Sequence, residues 1–234
     1  DRRLVIFMEY RKNDIVTLKI EDCGIDGEGI GKADGFTVFV KDAVIGDTVR
    51  AKIMKAKKNY GYGRLEEILT PSPDRVEPEC QFARQCGGCQ LQALSYEKQL
   101  EFKTSKVRGH LERIGGFTDL PMEEILGMEQ PFHYRNKAQF PVGRSKDGRI
   151  ITGFYAGRTH SIIENRDCAL GVPQNKEVLD RVIAHMEKFH IQPYDEITGR
   201  GLVRHVLIRY GFFTDEMMVC LIINGEKLPG EEAL

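Results

Sequence analysis

The sequence has no run approaching the roughly 20 uninterrupted apolar residues that a helix needs to cross a bilayer, so no transmembrane helix is expected in it. Its opening, DRRLVIFMEYRKND, holds too short an apolar stretch for a secretory leader, and the chain reads as intracellular and cytoplasmic. Six cysteines in 234 residues are too few for a disulfide scaffold, and a reducing cytosol keeps them as thiols. There is no internal repeat and no low-complexity segment. No Ser–His–Asp or paired-carboxylate constellation is discernible. The histidines are scattered: His110, His185 and His190 fall on expected helices, and His133 and His160 among basic residues.

What remains is ordinary globular composition, 41% hydrophobic and 29% charged with a mean hydropathy of -0.36. The length suits two compact domains, or one with an appended module. A formal net charge of -1 conceals two basic stretches. Residues 50–64 hold six Lys or Arg and no acid, and residues 131–168 hold seven basic residues against three acidic ones. Such a chain can grip a polyanion locally while staying neutral as a whole.

Residues 14–70 predict a small antiparallel barrel. DIVTLKIEDC, FTVFV, DTVRAKIMKAK and YGRLEEIL alternate apolar and polar residues between glycine- and aspartate-rich turns. PSPDRVEPE, with three prolines in its first eight residues, reads as a linker. Ser95 is the expected N-cap of a helix ending at Gly115-Gly116, with Tyr96, Leu100, Val107, Leu111 and Ile114 on one stripe. Strands return between 131 and 168, with a hairpin at Asp147-Gly148. A second helix starts at Pro173 and aligns Val178, Leu179, Val182, Ile183, Met186 and Phe189. LVRHVLIRYG and EMMVCLIING form a last hairpin.

Cys80, Cys86 and Cys89 fall within ten residues, separated at Cys86-Gly-Gly-Cys89 by a pair of glycines, with Cys168 the expected fourth ligand of a metal centre. Gly87 and Gly88 permit positive φ and free backbone N–H groups to face sulfur. Four thiolates without a nearby histidine suit an iron–sulfur cluster or structural zinc. Cys220, inside VCLII, is expected in the core, and Cys23 is expected to be structural. Gly27-Glu28-Gly29-Ile30-Gly31 leads into another strand rather than a helix, so it is a turn with positive-φ glycines and not a nucleotide loop.

Arg50, Lys52, Lys55, Lys57, Lys58 and Arg64, interleaved with Tyr60 and Tyr62, form a candidate RNA surface: lysines neutralise phosphates and tyrosines stack on unpaired bases. Arg135, Lys137, Arg144, Lys146, Arg149 and Arg158, interleaved with Phe140, Phe154 and Tyr155, form a second.

The run PSPDRVEPECQFARQCGGCQLQALSYEKQLEFK resembles the signature of the RNA uridine C5-methyltransferases of the RumA/TrmA type, and the resemblance extends over 14–234. GEGIGKADGFTVFV and VIGDTVRAKI resemble the TRAM domain, an OB-like RNA-binding barrel. His133-Tyr134-Arg135-Asn136-Lys137, Gly153-Phe154-Tyr155 and Asp167-Cys168 resemble the central domain of that family. The resemblance implies that Cys80, Cys86, Cys89 and Cys168 hold a [4Fe-4S] cluster of structural or RNA-positioning role. It implies an α+β fold, mainly β: a five-stranded TRAM barrel at 14–70 and a mixed iron–sulfur domain at 71–94 and 125–234. The helical segment 95–124 would pack with a catalytic domain.

In such enzymes a Rossmann-like domain binds S-adenosylmethionine, and a cysteine attacks C6 of uracil to make C5 nucleophilic. That domain is expected to be absent from this chain, which would be an inactive, truncated or proteolytic amino-terminal portion with no catalytic residues of its own. The expected partner is structured RNA, ribosomal in origin, bound by a monomer. A stand-alone RNA-binding iron–sulfur module and a ferredoxin-like redox protein are the rival readings.

Overall fold

The structure, a computed structural model, describes residues 10–157 and 159–234. Arg158, one of the expected RNA contacts, lies outside the described residues. By compactness the chain divides into two units, Asp1–Pro78 with Gln90–Gly127 and Glu79–Cys89 with Met128–Leu234. Each is taken by itself.

The first unit contains a closed barrel of five strands: β1 (Ile15–Cys23), β2 (Gly29–Ala33), β3 (Phe36–Lys41), β4 (Thr48–Ala56) and β5 (Tyr60–Thr70), in the order β1-β2-β3-β5-β4. Period-two alternation turns Val16, Leu18 and Ile20 of β1, Val38 and Val40 of β3, and Val49, Ala51 and Ile53 of β4 inward, all nearly or fully excluded from water. Closure differs from the expected antiparallel barrel, because β3 and β5 pair in parallel, Thr37 beside Tyr60 through Lys41 beside Arg64. The chain must therefore cross from β3 to β4 before β5 returns alongside β3.

The glycine segment also differs from expectation. Gly27 lies in the turn with φ of 81°, but Gly29 and Gly31 belong to β2 and are needed for close approach instead. A Cβ on Gly31 would stand 2.3 Å from the carbonyl oxygen of Lys19 on β1.

The proline-rich stretch is strapped to the barrel rather than free. Asp47, fully buried in the turn before β4, accepts from the Ser72 and Val44 backbone N–H groups at 2.9 Å and from the Arg75 guanidinium at 2.6 Å. Val76 N–H donates to Ala93 and Ser95 N–H to Asp74, which leads the chain into α1 (Tyr96–Arg113). Ser95 caps that helix through Lys98 N–H, and Gly116 at φ 70° ends it, with Phe117 N–H returning to the Leu111 carbonyl. The expected stripe is not a buried one. Val107 and Ile114 are 52% and 81% exposed, and Gly109 is the helix's buried residue.

The second unit is a five-stranded antiparallel sheet, β10-β9-β6-β7-β8, from β6 (Lys137–Arg144), β7 (Ile150–Tyr155), β8 (Ile162–Glu164), β9 (Val203–Gly211) and β10 (Glu216–Ile223). The helix α2 (Gln174–Lys188) lays Leu179, Val182, Ile183 and Met186 on Ala138, Phe140, Val142, Val206 and Ile208. Burial of each such side chain stabilises the unit by about 2 kcal/mol before entropy is counted. Gly148 supplies the left-handed residue of the β6–β7 turn, at φ 87°. Cys220 does not enter this core. It sits on β10 opposite Leu207, exposed, because the alternation places it on the face away from α2. Cys23 is buried, and burial pushes its thiol up to about 11.

Candidate nucleic-acid interface and cysteine cluster

On the barrel, the alternation that buries Gly61 and Gly63 turns Tyr60, Tyr62 and Arg64 outward on β5. Register then places Phe39 of β3 beside Tyr62. The three rings form one aromatic surface: Phe39 and Tyr62 tilt by 32° with centroids 5.5 Å apart, and Tyr60 meets both edge-on at 5.8 Å. Tyr60 and Tyr62 are 38% and 40% exposed, so flat aromatic area faces water beside cations. Lys52 stands opposite Arg64 and Lys55 opposite Tyr62, while Lys57 and Lys58 lie in the turn between the strands.

The basic stretch is less positive than its own composition suggests. Arg50 pairs with Glu67 at 2.5 Å and Arg64 with Glu66 at 2.7 Å, both carboxylates lying just beyond the stretch. Among the described residues no ion pair engages Lys52, Lys55, Lys57 or Lys58, so these four carry the net charge there.

The second basic run is divided by the sheet. Lys137 opens β6 opposite Arg209, and Arg144 closes it, so the two lie roughly 23 Å apart along the strand. Arg135 is held by its backbone N–H on Leu170. Arg149 is taken up by Asp147 at 2.8 Å and Glu164 at 3.5 Å. Phe140 and Phe154 are not interface residues: their rings pack 5.0 Å apart on the α2 side of the sheet, with Phe140 fully buried. Tyr155 instead lines a cleft of about 880 Å³ with Arg144, Lys146 and the segment 192–204.

The cysteine loop is held as an added edge on β7. Gly87 N–H donates to the Tyr155 carbonyl and Gly157 N–H to the Gln85 carbonyl, both at 3.2 Å. Neither glycine of the pair adopts positive φ, and Gly87 serves close approach instead: a Cβ on it would lie 3.2 Å from the Gly157 Cα. Gly88 N–H does point at sulfur, 3.4 Å from Cys86 Sγ. Cys168 begins a turn closed by Gly171 N–H on its carbonyl at 2.9 Å, and His133 steadies this turn from two sides. Its backbone N–H reaches Ala169 and its Nδ1–H reaches the Gly171 carbonyl, each at 2.9 Å. His133, itself exposed, thus braces this turn.

Burial first, then the nearby Cys168 and Cys86, push the Cys80 thiol up, against a lowering hydrogen bond from Phe82 N–H. Cys80 thus feels two of the other expected ligands. Among the described residues, however, no three His, Cys, Asp or Glu side chains group closely enough to hold a metal ion. The donor set itself suits an iron–sulfur group, being all thiol with backbone N–H aimed at sulfur.

Phe39 was not among the expected contacts. Its signal was present, since FTVFV places Phe36, Val38 and Val40 inward and leaves an aromatic on the outward face. The Tyr194–Arg204 wall of the cleft had no local signal, because it forms by packing over distance.

Residues 11–65 match the TRAM domain family. Over 96% of its length the chain is 44% identical to an uncharacterized RNA methyltransferase of Clostridium tetani, and over 95% it is 45% identical to one of Halalkalibacterium halodurans. It spans about half the length of these relatives, 48% of each. Among solved structures, the tRNA (uracil-54, C5)-methyltransferase of Pyrococcus abyssi, in complex with S-adenosyl-L-homocysteine, matches 91% of this chain and 47% of its own. The TM-score is 0.64 at 26% identity. These matches overturn the expectation of a methyltransferase portion without its methyltransferase domain. Nearly all of the chain superposes on a methyltransferase, and where a sequence spanning half of its relatives stops says nothing about the rest of the protein. Residues 11–65 thus match the TRAM domain, and over some 95% of its length the chain is similar to RNA methyltransferases, of which it spans about half.

Proposed function

We propose that this protein methylates C5 of a uridine in structured RNA, ribosomal RNA foremost, with S-adenosylmethionine as methyl donor, and that the residues described here grip the RNA. The observation that carries the RNA reading is the outward Phe39–Tyr60–Tyr62 surface with Lys52, Lys55, Lys57 and Lys58 around it. Three rings turned to water serve no core, and cations beside stacking surface are what an unpaired strand needs. The Pyrococcus protein is a tRNA (uracil-54, C5)-methyltransferase held in complex with S-adenosyl-L-homocysteine, and likeness to it supports both the C5 chemistry and the donor. Cys80, Cys86, Cys89 and Cys168 are the proposed ligands of a [4Fe-4S] cluster, which would tie the 80–89 loop to the turn at Cys168. Methyl transfer moves no net electrons, so that role is structural.

The decisive experiment supplies the full-length protein with unmodified ribosomal and transfer RNA and labelled S-adenosylmethionine, then maps the product nucleoside. Methylation at C5 of one or more uridines in ribosomal RNA is expected. Labelling of transfer RNA alone would replace the substrate, and labelling of neither would reject the activity.

A further inference from the structure

The cleft on the second unit has a composition that the cysteine site and the barrel surface do not explain. Its floor is the β6–β8 part of the sheet and its wall the segment 192–204. At about 880 Å³ it falls in the range of small-ligand sites. Two ring systems line it. Tyr155 meets His160 edge-on with centroids 5.2 Å apart, and the Arg204 guanidinium lies 5.4 Å from the centre of the Tyr194 ring. Arg204 is fixed there by Glu196, which accepts from its Nε at 2.6 Å and its Nη2 at 3.0 Å. A guanidinium fixed by a carboxylate beside a ring in this way offers a plane on which a base can stack.

The charges divide unevenly. The carboxylates in the cleft are already engaged: Glu196 by Arg204, Glu164 by Arg166 at 3.1 Å, and Asp195 by the Ile197 and Thr198 backbone N–H groups. Arg144 donates to the Gly148 carbonyl and the Gln192 amide oxygen, both neutral, so its charge is not cancelled. Among the described residues no ion pair engages Arg144, Lys146 or Arg200. A pocket with stacking planes and a cationic rim is complementary to a planar ring joined to a phosphate.

We propose that this cleft binds one unpaired nucleotide of the RNA, its base against the Tyr155, His160, Tyr194 and Arg204 planes and its phosphate at Arg144 and Lys146. The site would recognise a looped-out or single-stranded residue and not a duplex, whose bases are stacked on each other. It rests on the RNA reading above, but uses residues of the second unit alone.

The test is fluorescence anisotropy on the full chain with a labelled single-stranded oligoribonucleotide and a fully paired duplex of equal length. His160→Ala and Tyr194→Ala are each expected to weaken single-strand binding by about tenfold and to leave duplex binding within twofold. His160 is exposed, so its variant should melt like the parent. As a second readout, single-stranded RNA should shield His160 from diethyl pyrocarbonate while duplex does not. If both variants bind single strands normally while Tyr62→Ala binds poorly, the cleft is not a nucleotide site and the RNA reading survives. If heparin shields His160 as well as RNA does, the cleft is a general polyanion patch and the proposal falls. If the parent binds no RNA at low salt, the RNA reading fails and takes this site with it.

Discussion

Arg75 reaches Asp47 across 28 residues with its Nη2 at 2.6 Å and its Nε at 3.1 and 3.2 Å from the two carboxylate oxygens. Asp47 is wholly buried, and burial by itself would raise its carboxyl. The Arg75 hydrogen bonds and the N–H groups of Ser72 and Val44 overcome that and hold it below the usual range. Removing the cation strands a buried charge, so Arg75→Ala should cost about 3 kcal/mol by urea unfolding. An Arg75→Ala protein as stable as the parent would show that the strap contributes nothing.

The same pair gives a pH dependence of definite sign. A carboxylate whose folded pKa is depressed contributes stability that is complete above its unfolded value of about 3.9. That contribution is lost as pH falls through the lower folded value. The stability gap between the parent and Asp47→Asn should therefore be constant at neutral pH and shrink below about pH 4. A gap that stays constant through the acid range contradicts the pairing.

Two glycines of the barrel should respond differently to alanine. Gly31 faces backbone at 2.3 Å, so Gly31→Ala must force β1 and β2 apart and should cost about 2 kcal/mol or more. Gly35 has open space around it but a φ of 83°, so Gly35→Ala should cost about 1 kcal/mol. Thermal unfolding of the two variants checks the ranking, and equal losses would contradict it.

Binding to single-stranded RNA should depend on salt and rings separately. Lys57→Ala and Lys58→Ala should each reduce the log–log salt slope by about 0.7, without changing ring stacking. Phe39→Ala and Tyr62→Ala should leave the slope alone and cost about 1–3 kcal/mol each. Unchanged slopes in the lysine variants would place the phosphates elsewhere.

Purified anaerobically, the protein should show the broad brown absorbance of an iron–sulfur cluster, and Cys86→Ser should abolish it together with part of the second unit's stability. A colourless parent with Cys80, Cys86, Cys89 and Cys168 all free thiols and with full stability would remove the cluster from the reading.

Much of this was legible in the sequence because it is local. Alternation in DIVTLKIEDC and FTVFV is enough to name strands and their inward residues. Ser95 before the apolar stripe is enough to start a helix, and its hydroxyl does accept from the Lys98 N–H. Cys220 shows the limit of that reasoning: VCLII reads as core from hydrophobicity, yet which face of β10 meets α2 is decided by pairing with β9. Phe140 and Phe154 fail in the same way, since an aromatic between basic residues points inward or outward according to the sheet's covered face.

The sequence by itself determined four of the five barrel strands, all but β2, together with the two helices, the cysteine spacing and the lysine-rich stretch, because period and turn chemistry act over a few residues. Tertiary structure decided the parallel β3–β5 closure and the pairing of Arg50 on β4 with Glu67 on β5. It also built the cleft walled by Tyr194 and Arg204. Each of these depends on how strands and loops settle against one another, and such contacts are fixed by packing that no local pattern encodes.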